Sequence, residues 1–136
     1  MSDEKRQFEA TRWFDQAVED LEAVRVLRDG GRHAQACFYG QQAAEKALKA
    51  LGQLQGEDVW GHSLLKLASR LAELGYELDI AEADLVTLDR FYIPTRYPNG
   101  VPEIIPQRAF LETDAATAMA CAQRIIDAVR GKLPQP

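Results

Sequence analysis

The chain has 136 residues, 46% hydrophobic and 27% charged, and its 16 Lys and Arg against 21 Asp and Glu give a net charge of −5. These values indicate one globular domain over residues 1–136, without need of a disulfide or metal. They argue against a membrane-spanning protein and against one that binds nucleic acid non-specifically through a net positive charge. The first ten residues lack a signal peptide's apolar region. Cys37 and Cys121 each lie in a helical pattern without an evident partner, which favours a reducing compartment, so the sequence predicts a cytoplasmic protein.

Apolar residues recur at helical spacing in five segments, whereas strand patterns are nearly absent. Gly30 and Gly31 are expected to end the first helix, Ser63 to cap the third, and Asp79 with Glu82 to form a capping box at the fourth. The sequence therefore predicts an all-α, up-and-down bundle of four to five helices. The predicted helices cover about 8–29, 33–54, 63–74, 80–92 and 114–131.

A proline-rich segment interrupts the helical pattern before the last helix. Residues 93–112 hold four of the six prolines, so they cannot form one continuous helix. Their apolar content is too high for disorder, which predicts an ordered loop. The loop carries Arg96 and Arg108, and a stiff loop that presents an arginine suits anion recognition.

Polar side chains crowd the second predicted helix, where Gln42, Glu45 and Lys46 share one side. Two interpretations are open: a solvated face with ordinary ion pairs, or one wall of a binding site. His62, just before the third helix, allows a helix-end role or a site role. No phosphate-binding Gly-rich loop and no metal-ligand spacing occur in the sequence, so we predict no metal and no cofactor.

Three runs of sequence together resemble the HEPN domain, the nucleotide-binding domain of higher eukaryotes and prokaryotes. They are FYGQQAAEKALKAL on the second helix, GHSLLKL after it, and YIPTRYP on the proline-rich loop, which suggests the branch that carries this loop. The resemblance implies a helical bundle that commonly forms homodimers. Many members are encoded beside a minimal nucleotidyltransferase in toxin–antitoxin-like pairs. Many are metal-independent ribonucleases with an Arg followed, after four to six residues, by a His.

The chain departs from that ribonuclease motif. If Arg96 is the motif arginine, the His should fall where Val101, Pro102 and Glu103 stand. The departure favours binding of a nucleotide or RNA over catalysis. One alternative is a ribonuclease toxin whose proton-transfer group is His62 or a residue of a partner chain. Another is a non-enzymatic helical adaptor that docks a nucleotidyltransferase.

We expect Arg96 to bind a phosphate and Tyr97 to stack on or position the ligand. The opposing hypothesis is that Arg96 forms a buried ion pair with Glu45. Two inert core thiols, Cys37 and Cys121, are also predicted. The other predicted ligand-binding residues are Gln42, Glu45, Lys46 and His62. The predicted homodimer would use Trp13, Phe14, Phe38, Tyr39 and Trp60.

Overall fold

A computed structural model describes residues 2–134, and within them it contains helices and no strand. Five helices of eight or more residues build the bundle, which confirms the predicted fold class. A 3-10 turn and a single-turn helix lie in the proline-rich segment. No helix in the described part of the chain has the length and apolar character that a membrane crossing requires. The elements are α1 (Asp3–Asp29), α2 (His33–Leu54), α3 (Leu64–Glu73), α4 (Glu82–Asp89), the 3-10 turn (Pro98–Gly100), α5 (Pro106–Ala109) and α6 (Glu112–Arg130).

Helix α2 lies at the centre of the bundle and contacts α1, α3, α4, α5 and α6. Small residues allow these close approaches. A Cβ atom at Gly40 would lie only 3.1 Å from the Cβ atom of Ala118 on α6. The apolar stripe predicted for the last helix is fully buried, as expected from its period of 3.6 residues. That stripe consists of Ala115, Ala118, Ala122, Ile125 and Val129.

The helix ends agree with the sequence at three of four predicted positions. Ser63 caps α3, since its hydroxyl accepts a hydrogen bond from the Lys66 amide at 3.3 Å. Gly30 is the C-cap of α1, and Gly31 follows with φ of +75°, a backbone conformation that favours glycine. The capping box at Asp79 is wrong. Ala81 is the N-cap of α4, so Asp79 lies two residues before the N-cap, outside the helix.

Two further helix boundaries differ from prediction. Helix α1 begins at Asp3 rather than near residue 8, because Ser2 caps it by accepting from the Lys5 amide. Helix α4 ends at Asp89 rather than near residue 92, and the chain continues in turns with hydrogen bonds between residues three apart. These turns lead into Pro94, which cannot donate a backbone hydrogen bond.

The segment between α2 and α3 lies directly against α2 because Gly52 has no side chain. A Cβ atom there would meet the Cγ2 atom of Val59 at 2.5 Å and the carbonyl oxygen of Glu57 at 2.9 Å. Val59 is buried, so this contact anchors the start of the segment that carries Trp60 and His62.

Candidate functional site

The guanidinium of Arg96 is surrounded by aromatic rings. Its Cζ atom lies 4.4 Å from the ring centroid of Tyr92, 4.7 Å from that of Phe38 and 5.0 Å from that of Tyr97. Such cation–π contacts hold an arginine in place. The Nε atom donates a hydrogen bond to the carbonyl of Tyr92 at 2.9 Å. Among residues 2–134 the two terminal nitrogens have no hydrogen-bond or ion-pair partner, so they are available to an anion.

The hypothesis of a buried ion pair between Arg96 and Glu45 is wrong. Other groups already surround the Glu45 carboxylate, whose side chain is only 7% exposed. It accepts from Gln41 Nε2 at 3.2 Å, lies 3.0 Å from His62 Nδ1 and pairs with Lys49 Nζ at 3.3 Å. These three partners come from α2 itself and from the segment before α3, and they leave no role for the loop arginine.

Two contacts fix the orientation of the His62 ring. Nδ1 faces Glu45, and the ring stacks on that of Tyr92 with centroids 4.7 Å apart and planes 20° apart. The side chain remains 57% exposed, and its Nε2 has no partner within the described chain. Since an ionised carboxylate accepts the proton of Nδ1, neutral His62 would present the lone pair of Nε2 outward.

Tyr92 therefore brings His62 and Arg96 together, because both side chains contact its ring. Neither Tyr92 nor Phe38 was among the predicted site residues. For Tyr92 the sequence offers one signal: it precedes Arg96 by four residues, the spacing of neighbours on one side of a helical turn. Nothing in the sequence indicates that a residue from before α3 stacks on the same ring.

The remaining predicted site residues lie in a hydrogen-bonded network along α2. Gln42 donates to Gln41 at 2.8 Å, and Gln41 donates to the carbonyl of His62 at 2.9 Å. Lys46 pairs instead with the buried carboxylate of Asp20 on α1. The structure thus links Gln42 to the segment that carries His62, whereas it turns Lys46 toward α1.

Asp89, at the end of α4, holds the N-terminus of α3. Its carboxylate accepts from the amides of Leu64 at 2.7 Å and Leu65 at 3.2 Å, and from the Ser63 hydroxyl at 3.1 Å. Because α3 starts two residues after His62, Asp89 fixes the segment from one side and Gly52 fixes it from the other.

Two concavities lie beside this network, along α1 and α2, and both include Trp13. The smaller, about 200 Å³, lies under Trp60, whose side chain is 88% exposed. The larger measures about 530 Å³. The smaller is lined by Trp13, Lys49, Gln53, Asp58, Val59 and Trp60, and the larger by Arg12, Trp13, Asp15, Gln16, Glu19 and Lys46.

Three further predictions concern buried side chains and metal ligands. Burial raises the pKa of the Cys37 thiol to about 12, and burial together with a hydrogen bond to Asp84 raises that of Cys121 to about 11. Both thiols therefore fit the prediction of inert core cysteines. Phe14 is buried in the core and cannot belong to an interface, as its helix turns it inward. Within residues 2–134 no three His, Cys, Asp or Glu side chains converge on a metal-sized site.

Comparison with known proteins gives one family and several related structures. The HEPN domain family matches residues 10–132. TT1696 from Thermus thermophilus is 39% identical with a TM-score of 0.84, over 92% of this chain and 98% of that one. ST0689, an archaeal HEPN homologue, is 37% identical with a TM-score of 0.74, over 93% and 98%. An HEPN domain protein from Thermotoga maritima is 27% identical with a TM-score of 0.69, over 90% and 97%. No curated protein matches the chain.

Proposed function

Because the chain belongs to the HEPN family, we propose that it is a helical module that binds the phosphate of a nucleotide or of RNA through Arg96. One observation carries this proposal: the guanidinium is held by three rings and a backbone carbonyl, while its terminal N–H groups are unpaired within the described chain. Paired N–H groups of a guanidinium match two phosphate oxygens. Tyr97 is 48% exposed and offers a ring on which a base can stack.

Substitution of Arg96 tests the phosphate site. Arg96→Ala should weaken binding of AMP or a short RNA by roughly 1.5–3 kcal/mol, the range for hydrogen bonds to charged groups, or about 10- to 150-fold. Arg96→Lys should not restore affinity, since an ammonium lacks the planar fork.

Arg108→Ala is the matched control, because Arg108 is an exposed arginine of the same loop. It should bind like wild type. Equal affinities for Arg96→Ala and wild type, with only the melting temperature lowered, would assign Arg96 a purely structural role.

A metal-independent ribonuclease is a second candidate function, favoured by the contact of His62 with the buried carboxylate of Glu45. In this hypothesis His62 Nε2 takes the proton of the 2′-hydroxyl while the 2′-oxygen attacks phosphorus. The 5′-oxygen leaves with a proton taken from water, and the imidazolium then returns its proton to the hydroxide so formed. Glu45 stabilises the resulting imidazolium, and Arg96 offsets the charge that develops on the phosphoryl oxygens.

Incubation of mixed-sequence RNA with the protein and a chelator separates the two functions. A binding module leaves the RNA intact. A ribonuclease cleaves it, and His62→Ala then reduces the rate by about 10²–10⁴, the usual contribution of general acid–base catalysis. Cleavage that survives His62→Ala would exclude this residue as the base.

The same proposal includes a cytoplasmic homodimer that acts with a minimal nucleotidyltransferase in a toxin–antitoxin-like pair. Exposed apolar side chains near the α1–α2 turn support an interface, since Val26 is 58% exposed and borders a concavity of about 440 Å³ with Leu27 and Tyr39. Light scattering at tens of micromolar should give twice the 15.2 kDa chain mass. A monomer would contradict the proposed homodimer. The lack of a nucleotidyltransferase gene beside this one would contradict the proposed pair.

A further inference from the structure

We propose that Trp60 and Trp13 frame a second, base-binding subsite next to the Arg96 site, so that the ligand is single-stranded RNA of at least two nucleotides. This inference rests on the proposed function, because it assumes that Arg96 holds one phosphate of the same strand. It is carried by the exposure of Trp60, by the cavity beneath it and by the side chains that connect this cavity to His62.

Trp60 presents its indole to solvent from a firmly held segment. The side chain is 88% exposed, yet its neighbour Val59 is buried against Gly52 on α2. His62 follows two residues later, and its ring is held by Tyr92 and Glu45. A large aromatic ring on a fixed backbone is a stacking platform, and every nucleobase has a face that can use it.

The cavity under Trp60 has the size and chemistry for one flat ring. Its volume of about 200 Å³ lies below the roughly 300–1,000 Å³ of pockets that enclose a whole drug-sized ligand. Trp13 forms a second aromatic wall. Gln53 and Asp58 also line it, and Gln53 Nε2 donates to Asp58 Oδ1 at 2.6 Å. The amide oxygen of Gln53 and the second carboxylate oxygen of Asp58 have no partner within the described chain and could accept from the polar edge of a base.

Lys49 connects this cavity to the Arg96 site. It lines the cavity and also pairs with Glu45, the residue that holds His62. Lys49 is therefore linked to the cavity on one side and, through Glu45 and His62, to Tyr92 and the Arg96 site on the other. A strand that occupies both subsites would run from Arg96 and Tyr97 past Lys49 to Trp60.

The charges nearby favour stacking over bulk attraction. The adjoining 530 Å³ groove carries Arg12 and Lys46, but Asp15 and Glu19 balance them. A duplex, whose bases are already stacked and whose recognition depends on backbone contacts, gains little from such a surface. Unpaired bases gain a stacking partner, which selects the single strand.

Affinity as a function of RNA length tests the inference. We would measure binding of AMP and of 2′-O-methyl oligoadenylates of two to six nucleotides, which cannot be cut by attack of a 2′-hydroxyl. Wild type should bind the oligomers more tightly than AMP. Trp60→Ala should weaken oligomer binding by about 5- to 150-fold, the loss expected for one stacked base, and leave AMP binding unchanged. Trp60→Phe should retain most of the affinity.

Phe8→Ala is the matched control, because Phe8 is another exposed aromatic residue and does not line this cavity. It should bind like wild type. Fluorescence gives an independent readout, since Trp13→Phe leaves Trp60 as the only tryptophan of the chain. Oligoadenylate should quench the emission of that variant, whereas AMP should not.

Each contrary result has a distinct meaning. If AMP and the oligomers both fail to bind, the proposed function is refuted and this inference with it. If both bind and Trp60→Ala leaves the ratio of the oligomer affinity to the AMP affinity unchanged, only the inference is refuted. If Trp60→Ala converts a dimer to a monomer without changing that ratio, Trp60 belongs to an interface between copies of the chain, which also overturns it.

Discussion

Removal of the Asp89 carboxylate should destabilise the protein through the start of α3. In the structure this group accepts from two first-turn amides and from the hydroxyl of Ser63. It also places a negative charge at the positive end of the helix dipole. Substitution of Asp89 by Ala therefore removes a cap, a charge and three hydrogen bonds at once.

The size of the effect follows from what replaces these bonds. Leu65 is an exposed residue, so we expect water to replace the bond that its amide loses, and Ser63 still caps α3 through the Lys66 amide. Leu64 is fully buried, so its amide loses a 2.7 Å bond to a charged acceptor without compensation. A cap is worth about 0.5–2 kcal/mol and one such bond about 1.5–3 kcal/mol. Because the cap and the hydrogen bond share one carboxylate, their contributions do not add, and we expect the free energy of unfolding to fall by about 2–3 kcal/mol.

Thermal unfolding measures this loss directly. At an unfolding entropy of about 2.1 cal/mol/K per residue, each kcal/mol corresponds to roughly 3.5 °C for a chain of this length. Asp89→Ala should therefore melt about 7–10 °C below wild type, and Asp89→Asn, which keeps one acceptor oxygen, should fall between them. Urea unfolding at 25 °C checks the free energy with an unchanged m-value.

Asp79→Ala is the matched control. The sequence predicted that Asp79 caps α4, but in the structure this aspartate lies outside the helix. The stability of this variant should stay within about 0.5 kcal/mol of wild type. If Asp89→Ala melted within about 2 °C of wild type, or if Asp79→Ala lowered the melting temperature as much as Asp89→Ala, the assigned role of Asp89 would be wrong.

Two further predictions concern buried titratable groups. Hydrogen bonds from Arg124 at 2.8 and 2.9 Å lower the pKa of Asp84 below its unfolded value of about 3.9. The ionised carboxylate therefore stabilises the folded state fully above that pH, and this contribution is lost as the pH falls through the folded pKa. Urea unfolding should thus show a weaker pH dependence below about pH 4 for Asp84→Asn than for wild type, and parallel curves would contradict it. Because burial raises the pKa of Cys37 and Cys121, a disulfide reagent at pH 8 should label neither thiol in native protein and both in denaturant. Rapid native labelling of either one would refute that assignment.

The fold could be predicted from the sequence because local signals agree with tertiary packing. Helix α2 has the predicted bounds, and the cap at Ser63 forms as expected. The predicted capping box at Asp79 is wrong because residue spacing alone does not decide where the backbone becomes helical. The family resemblance rested on three runs of sequence, and Phe38, His62 and Arg96, one from each run, all contact the ring of Tyr92.

The candidate site was predicted only in part. Arg96, Glu45 and His62 were recognised as chemically suitable, but an ion pair between the first two was an open alternative. Glu45 instead contacts His62, which comes from a segment 17 residues further along the chain. Sequence spacing carries no information about such a contact, because it depends on how α2, α3 and α4 pack.

The sequence by itself determined what is local: the helical periods, the helix stops and the prolines that prevent a continuous helix before α6. Each depends on a residue and its near neighbours, through backbone sterics and apolar spacing. Tertiary structure alone decided that Tyr92 would contact both His62 and Arg96, that Asp89 would cap another helix, and that Trp60 would stay exposed. These outcomes depend on which faces meet when the helices bury their apolar stripes together, and that is a property of the whole packed chain.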